Sequence, residues 1–162
     1  MLLEIERKYL LNPDVVIEDE PIRRLEIEQF YLGKLRFRKQ HHGISSYFWN
    51  MKFGKGMSKI ELETRIPKFI YEFAKRRAPV GGVLKKQRSV YQHGKHKIEM
   101  DEFQSYPYEG FKLAEIEIAH ENEEILPLPK WIGLEVTGDK RYNNRRMANK
   151  ASKKVLNQQW VI

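Results

Sequence analysis

Apolar and polar side chains alternate with a period of two along most of the chain. The alternation is clearest in five segments, where charged residues alternate with Leu, Ile, Phe, Met or Tyr: residues 3–11, 35–41, 59–66, 97–103 and 113–119. Successive side chains of a β-strand point to opposite faces, so this spacing predicts strands. Weaker alternation at 25–32, 45–53 and 83–92 predicts three more, which makes eight.

Glycine-containing segments of two or three residues separate many of these strands, as at 32–34, 42–43, 54–56 and 93–95. Such short connections are typical of β-hairpins. We therefore expect strands that follow each other in sequence to be antiparallel neighbours in the sheet.

Two segments have the spacing of helices. Pro67 suits the first turn of a helix over residues 68–77. One side of that helix is apolar and is expected to pack on the sheet: Phe69, Ile70, Phe73 and Ala74. Asp139 is the expected cap of a closing helix from about Lys140 into Val155. The expected buried side of this second helix is Met147, Ala148, Ala151 and Val155.

Composition narrows the class of protein. A chain of 162 residues without repeats or linkers predicts a single domain over 1–162, mainly β, with a C-terminal helix from about residue 140. The 30 Lys and Arg outnumber the 22 Asp and Glu, and the net charge of +8 favours an anionic partner. The absence of cysteine excludes disulfides, thiolate catalysis and sulfur-ligated zinc. The early acidic residues and the lack of a long apolar run predict a cytoplasmic protein without a membrane partner.

Like charges recur two residues apart on one face of most predicted strands. Residues at this spacing lie about 7 Å from each other on the same side of a strand. The pairs are Glu4/Glu6, Arg36/Arg38, Glu61/Glu63, Lys86/Arg88, Glu99/Asp101 and Glu115/Glu117. Each pair alone fits the solvated face of an open sheet. Together they favour a closed eight-stranded antiparallel barrel with a charged lumen, its apolar outer faces covered by the two helices.

A charged lumen needs compensating ligands. These strands place eight acids and six bases inward: Glu4, Glu6, Glu61, Glu63, Glu99, Asp101, Glu115 and Glu117 against Lys8, Arg36, Arg38, Lys52, Lys86 and Arg88. Buried charge without a partner is costly, so we expect a bound cation. Carboxylate oxygens without Cys or clustered His indicate Mg²⁺ or Mn²⁺. The basic pairs suit phosphate oxygens.

The order of these motifs resembles a known family. Glu4-Ile5-Glu6-Arg7-Lys8 is similar to the Glu-x-Glu-x-Lys signature of the CYTH superfamily, the triphosphate tunnel metalloenzymes. The likeness continues through Gln29 with Tyr31-Leu32, Arg36-Phe37-Arg38, Lys52, Glu61-Leu62-Glu63, Lys86-Gln87-Arg88, Glu99-Met100-Asp101, Glu115-Ile116-Glu117 and Leu134 to Asp139 with Arg141-Tyr142. It implies an eight-stranded antiparallel tunnel. The short bacterial members, which it resembles most, hydrolyse inorganic triphosphate to pyrophosphate and phosphate with a divalent cation.

The resemblance also implies roles for individual residues. Metal ligands are expected at Glu4, Glu6, Glu61, Glu63, Asp101, Glu115 and Glu117, with Mg²⁺ or Mn²⁺ as cofactor. Phosphate ligands are expected at Arg36, Arg38, Lys52, Lys86 and Arg88. Lys8 either deprotonates the attacking water, with Glu4 and Glu6 completing the catalytic group, or forms an ion pair with those carboxylates. Two departures from the usual pattern bear on substrate preference: Asn50 replaces a Thr, and Lys59 replaces an Arg.

Other functions remain open from the sequence. The same tunnel supports adenylyl cyclase and thiamine or nucleoside triphosphatase activities, and the net charge also suits a polyphosphate or RNA binder. Basic runs at 75–77 and 145–146 lie on predicted helices and are interpreted as solvated faces. His41, His42, His93 and His96 are interpreted as surface residues, and Trp49, Trp131 and Trp160 as packing residues. The partner expected is a small polyphosphate rather than nucleic acid. The preferred triphosphate, the metal, the number of metal ions and the existence of a homodimer are undetermined.

Overall fold

A closed β-barrel forms the centre of the computed structural model, which describes residues 2–54 and 58–159. Its strands are β1 Leu2–Leu11, β2 Arg23–Leu32, β3 Leu35–His42, β4 Ile44–Phe53, β5 Ser58–Arg65, β6 Leu84–His93, β7 His96–Phe103, β8 Lys112–Ile118 and β9 Ile132–Glu135. Its helices are α1 Lys68–Lys75 and α2 Asn144–Gln159, with a 3₁₀ turn at Lys140–Tyr142. The eight predicted strands are confirmed, with β9 as an addition.

The barrel closes through β1. The order of hydrogen-bonded strands is β5-β4-β3-β2-β6-β7-β8-β1, and β1 pairs with β5 to complete the ring. All pairings are antiparallel. Three of those in the ring join strands that do not follow each other in sequence: β2 with β6, β1 with β5, and β1 with β8. Strands joined by the short glycine-containing connections are antiparallel neighbours, as expected, whereas β1 and β2, and β5 and β6, do not pair with each other. The connections after β1 and β5, residues 12–22 and 66–83, are longer than the hairpin turns, as is the connection 119–131 between β8 and β9.

One edge of β1 serves two partners. Leu2 to Ile5 pair with β5, whereas Tyr9 and Leu11 pair with β9. The four-residue β9 follows a proline-rich stretch, which hides it from a search for period-two alternation. The backbone N–H of Val136 donates to the carbonyl of Lys8 at 2.8 Å and extends this second pairing.

Apolar packing lies largely outside the barrel wall. The outer faces of β1, β6, β7 and β8 bury Ile5, Tyr91, Ile98 and Ile116 together with Trp131. Loop residues cover this cluster: Val15, Ile17, Ile125 and Leu128. The indole N–H of Trp131 donates to Asp19 at 2.7 Å. Two loops therefore do the covering that was expected of helices.

His96 holds one of these loops in place, so its interpretation as a surface residue is wrong. It is 7% exposed, and its Nε2 lies 3.1 Å from a carboxylate oxygen of Glu123. Glu123 also accepts hydrogen bonds from Lys95 and from the backbone N–H of Ala119. The other ring nitrogen of His96, Nδ1, is buried and has no hydrogen-bond partner among the described residues.

α1 covers β2, β3 and β4, but not through the predicted face. Tyr71 and Ala74 are buried, whereas Phe69 and Phe73 are 69% and 57% exposed. The Tyr71 hydroxyl donates to the Glu28 carboxylate at 2.9 Å, and Lys75 lies 2.6 Å from the same oxygen. These two polar contacts with β2 fix the rotation of the helix. The prediction that Phe69, Ile70 and Phe73 pack on the sheet is wrong.

α2 closes one end of the barrel. Met147 and Ala148 pack against Leu84, Phe103 and Leu113, which continue the inward faces of β6, β7 and β8 beyond their charged residues. Ala151 is also buried, as predicted. Asp139 caps the 3₁₀ turn, accepting from the N–H of Arg141 at 2.9 Å, while the Asn143 side chain accepts from the N–H of Arg146 at 3.2 Å within α2.

The predicted packing role of Trp49 agrees with its position beside the cluster under α1, while Trp160 lies outside the described residues. None of the helices in the described ranges is long and apolar enough to cross a membrane.

Candidate active site

The interior of the barrel is a cavity of about 650 Å³ with a charged wall. All but one of the predicted site residues line it: Glu4, Glu6, Lys8, Arg36, Arg38, Lys52, Glu61, Glu63, Lys86, Arg88, Glu115 and Glu117, with Asp101 buried behind. β2, which lies across the ring from β1, contributes the less polar Leu25, Ile27, Gln29 and Tyr31. The lumen is therefore charged on most strands and largely uncharged on one.

Carboxylates face each other across three adjacent strands. Glu6 on β1 lies opposite Glu117 on β8, and Glu115 on β8 lies opposite Glu99 on β7. Like charges in directly opposite positions repel. Burial, together with Glu99 and Glu4, raises the pKa of Glu117. This arc of the wall is therefore suited to a cation.

Lys8 sits inside this acidic arc. Its ammonium forms an ion pair with Glu115 and lies 3.2 Å from Glu6. Burial disfavours the charged form of Lys8, but Glu115 and Glu6 outweigh burial and raise its pKa. Burial likewise opposes ionisation of Glu115, yet Lys8 and Arg88 hold its pKa well below its ordinary value. These contacts favour the ion-pair interpretation of Lys8.

Asp101 organises the basic side of the lumen. It is fully buried and accepts from Arg88 Nε at 2.6 Å and Nη2 at 2.7 Å, and it also pairs with Lys86. Burial opposes its ionisation, but Arg88 and Lys86 lower its pKa. Arg88 also reaches Glu99 and lies 3.3 Å from Glu115. In this arrangement Asp101 orients two bases, and its role as a metal ligand stays a prediction.

Asn50 links the basic and acidic residues of β3 and β5. Its Oδ1 accepts from Arg36 Nε at 2.8 Å, while its amide NH₂ donates to Glu61 and, at 3.2 Å, to Glu63. A threonine has one hydroxyl proton and cannot make both donations. Arg38 contacts Glu63 at 2.5 Å, and burial with the nearby Arg36 lowers the pKa of Arg38. An anion between Arg36 and Arg38 would relieve this repulsion.

The two lysines of β4 and β5 face the acids of β1. Lys52 pairs with Glu4 and lies 3.7 Å from Glu61. Lys59, which occupies the position of the usual arginine, lies 3.7 Å from Glu6. Both ammonium groups are partly exposed to the lumen. The Lys59 departure therefore keeps a cation at this point of the wall.

Comparison with known proteins assigns the chain to a family. No family model matches it. It is 30% identical over 155 residues to an inorganic triphosphatase of Nitrosomonas europaea, which covers 91% of this chain and 97% of that protein. The chain belongs to the inorganic triphosphatase family. An inorganic triphosphatase of Acetivibrio thermocellus is 38% identical over 96 residues, which make up 57% of this chain and 58% of that protein.

Solved structures agree with the assignment to this family. The crystal structure of the inorganic triphosphatase NE1496 aligns with a TM-score of 0.61 and 28% identity, over 91% of this chain and 95% of that one. The PH1012 protein of Pyrococcus horikoshii aligns with a TM-score of 0.51 and 20% identity, over 95% and 88%. At 20% identity, the similarity to the PH1012 protein shows a shared fold and nothing about function.

The carboxylate oxygens of the acidic arc are ligands of the kind that Mg²⁺ and Mn²⁺ prefer, but the carboxylates are not grouped around a single point. Across residues 2–54 and 58–159, no three acidic or histidine side chains surround one point as metal ligands do. The ammonium groups of Lys8 and Lys52 each lie within ion-pair distance of two lumen carboxylates, and that of Lys59 lies 3.7 Å from Glu6. Glu117 has no basic partner among the described ion pairs, so it is the carboxylate most available to a cation.

Several residues to which the sequence assigned no role in the site also line the lumen. Arg145 and the two asparagines before it line the cavity, although the pair Arg145–Arg146 was interpreted as a solvated helix face. The position of the α2 N-terminus beside the barrel end decides this, and local sequence does not encode it. The Tyr31 hydroxyl, which accepts from Gln29 at 3.2 Å, also faces the lumen, and burial raises its pKa so that it stays a neutral donor. Arg23 and Lys34 add further positive charge to the wall.

Proposed function

We propose that this protein hydrolyses inorganic triphosphate to pyrophosphate and phosphate inside its barrel, as a CYTH-type triphosphate tunnel enzyme that requires Mg²⁺ or Mn²⁺. The observation that carries the proposal is the division of one lumen into an acidic arc on β1, β7 and β8 and a basic wall on β3 and β6. A metal–polyphosphate complex has charges of both signs and matches both walls. The family relatives named inorganic triphosphatase support the same conclusion.

The basic wall would hold the phosphate chain. Arg36 and Arg38 project from adjacent positions of one face of β3, and Arg88 with Lys86 projects from β6. Guanidinium groups present two parallel donors to phosphate oxygens. Asp101 fixes Arg88 from behind, so its donors are oriented before the substrate arrives. Fixed positive charge lowers the barrier to phosphoryl transfer, because charge moves between phosphate oxygens during the reaction.

The acidic arc would hold the metal. Glu4, Glu6 and Glu117 would be its ligands, with Glu115 held by Lys8 beside them. When bound, the ion supplies positive charge to the phosphoryl group and favours ionisation of water. Lys8 would keep Glu6 and Glu115 apart and oriented. We propose this positioning role for Lys8 and retain general-base catalysis as the alternative that mutagenesis must test.

One assay tests the reaction. Purified protein is incubated with Mg²⁺ or Mn²⁺ and with tripolyphosphate, ATP or thiamine triphosphate in parallel, while phosphate, pyrophosphate and cyclic AMP are measured. Phosphate and pyrophosphate from tripolyphosphate are expected, and EDTA should abolish them. Cyclic AMP from ATP would contradict the proposal. Inactivity on every substrate would indicate a binding protein instead.

Variants test the acidic arc. Glu117→Gln is expected to raise the metal concentration needed for half-maximal rate, since it removes one oxygen charge from the arc. The matched control is Glu102→Gln. Glu102 lies nearby on β7 and pairs with Lys112 at the surface, so its substitution should leave the metal requirement unchanged. If the Lys8→Ala variant binds metal and substrate normally but does not hydrolyse the substrate, the result would favour Lys8 as the general base. Unchanged turnover would exclude that role.

A further inference from the structure

α1 carries its apolar face on the outside of the protein. Phe69 and Phe73 are 69% and 57% exposed, and Val80, just beyond the helix, is 58% exposed. An amphipathic helix on a globular protein normally turns this face to the core. Here the contacts of Tyr71 and Lys75 with Glu28 hold the opposite face against the barrel. The outward apolar face is thus fixed by the fold.

Basic side chains outnumber acidic ones around this apolar face, where Glu72 is the single acid of α1. Lys68, Arg76 and Arg77 are exposed, and none of them has a carboxylate partner among the described ion pairs. The Arg77 guanidinium lies 3.9 Å from the centre of the Phe73 ring, so aromatic and cation are presented together. A shallow depression beside the start of α1 adds Arg65 and Ser45 next to Lys68. We call this region, Phe69, Phe73, Val80 and their basic neighbours, the α1 patch.

We propose that the α1 patch docks the protein onto an anionic lipid surface. Aromatic side chains that protrude from a helix insert at the boundary between headgroups and acyl chains, and flanking bases bind lipid phosphates. A second copy of the chain is a poorer occupant, because docking two patches face to face would bring Lys68, Arg76 and Arg77 of both copies together. The inference differs from the sequence expectation of no membrane partner. It does not depend on the proposed triphosphatase activity.

Vesicle sedimentation tests the proposal on the full-length protein. Binding is expected to phosphatidylcholine vesicles containing a quarter phosphatidylserine, and much less to phosphatidylcholine alone. Phe69→Ser/Phe73→Ser should weaken binding about tenfold, because the inserted apolar area is lost. Arg76→Gln/Arg77→Gln should weaken it about fivefold for each charge removed. The hydrolysis rate should not change in either variant, since none of these residues lines the lumen.

Matched controls separate docking from non-specific attraction of a basic protein. Leu134→Ser removes an apolar side chain that is 70% exposed elsewhere, and Lys97→Gln/Lys130→Gln removes two exposed charges, one on β7 and one on the loop before β9. Both controls should bind vesicles like the wild type. Equal losses in the controls and the α1 variants would overturn the proposal. Vesicle binding that is unchanged by the Phe69→Ser/Phe73→Ser substitutions would also overturn it. So would the absence of vesicle binding together with a dimer, seen in sedimentation equilibrium, that these two substitutions dissociate.

Discussion

Replacing Asp101 by asparagine tests whether this carboxylate supports the basic wall. The substitution keeps the shape of the side chain but removes the charge that faces Arg88 and Lys86. An asparagine NH₂ would also turn a donor toward groups that are themselves donors. All three side chains are at least nine-tenths buried, so water cannot compensate for the loss.

The expected cost follows from this burial. Removing one partner of a buried ion pair costs about 3–5 kcal/mol of stability, because the remaining charge is uncompensated. Glu102→Gln, on the same strand, breaks a contact of 3.5 Å with Lys112 in which both side chains are 40% exposed. An exposed pair of this kind contributes about 0–1 kcal/mol. The difference between the two variants measures the contribution of burial.

Urea unfolding followed by tryptophan fluorescence gives both values. The measurement is made near pH 7 in EDTA, so a bound metal cannot contribute. Adding tripolyphosphate should restore part of the stability of Asp101→Asn, because the polyanion supplies negative charge to Arg88 and Lys86. A loss below about 1 kcal/mol, or one equal to that of Glu102→Gln, would refute the reasoning.

Three further predictions follow from other parts of the structure. Arg145→Ala should raise KM for tripolyphosphate about three- to tenfold while Arg146→Ala changes it less than about twofold, since only Arg145 lines the lumen; equal effects would contradict this. The hydrogen bonds from Lys95 and Ala119 lower the pKa of Glu123 to about 2. Wild-type stability contributed by this group is therefore present above about pH 4.5 and lost as the pH falls toward 2, and Glu123→Gln should flatten that part of the unfolding profile. Gly81→Ala should cost about 1–2 kcal/mol or more in urea unfolding, because its φ of +71° is left-handed and a Cβ would lie 2.5 Å from a side chain of α2.

The sequence predicts the barrel wall well because a strand's period of two is a local property. Alternation of Glu4 and Glu6 with Ile5, or of Arg36 and Arg38 with Phe37, sets which face is charged before any partner strand is known. Closure then brings these faces together, and the predicted lumen residues meet there.

Features that depend on tertiary contacts were not predictable in the same way. The rotation of α1 is set by Glu28 on a distant strand, which overrides the helix's own apolar stripe. The separation of Arg145 from Arg146 depends on where α2 meets the barrel end. Asp101 resembles its neighbour Glu99 in sequence, but only the packing of Lys86 and Arg88 around it shows its different contacts.

The shared edge of β1 has a consequence for how the chain folds during synthesis. β1 is made first, yet its partners β5, β8 and β9 begin at residues 58, 112 and 132. A ribosome adding roughly 5–20 residues per second needs on the order of ten seconds to produce them all. β1 can pair with β5 once residue 65 has been made, but the ring cannot close until β8 is complete at residue 118, and the pairing with β9 waits until residue 135. Barrel closure therefore has a high contact order and is expected to be the slow step of folding.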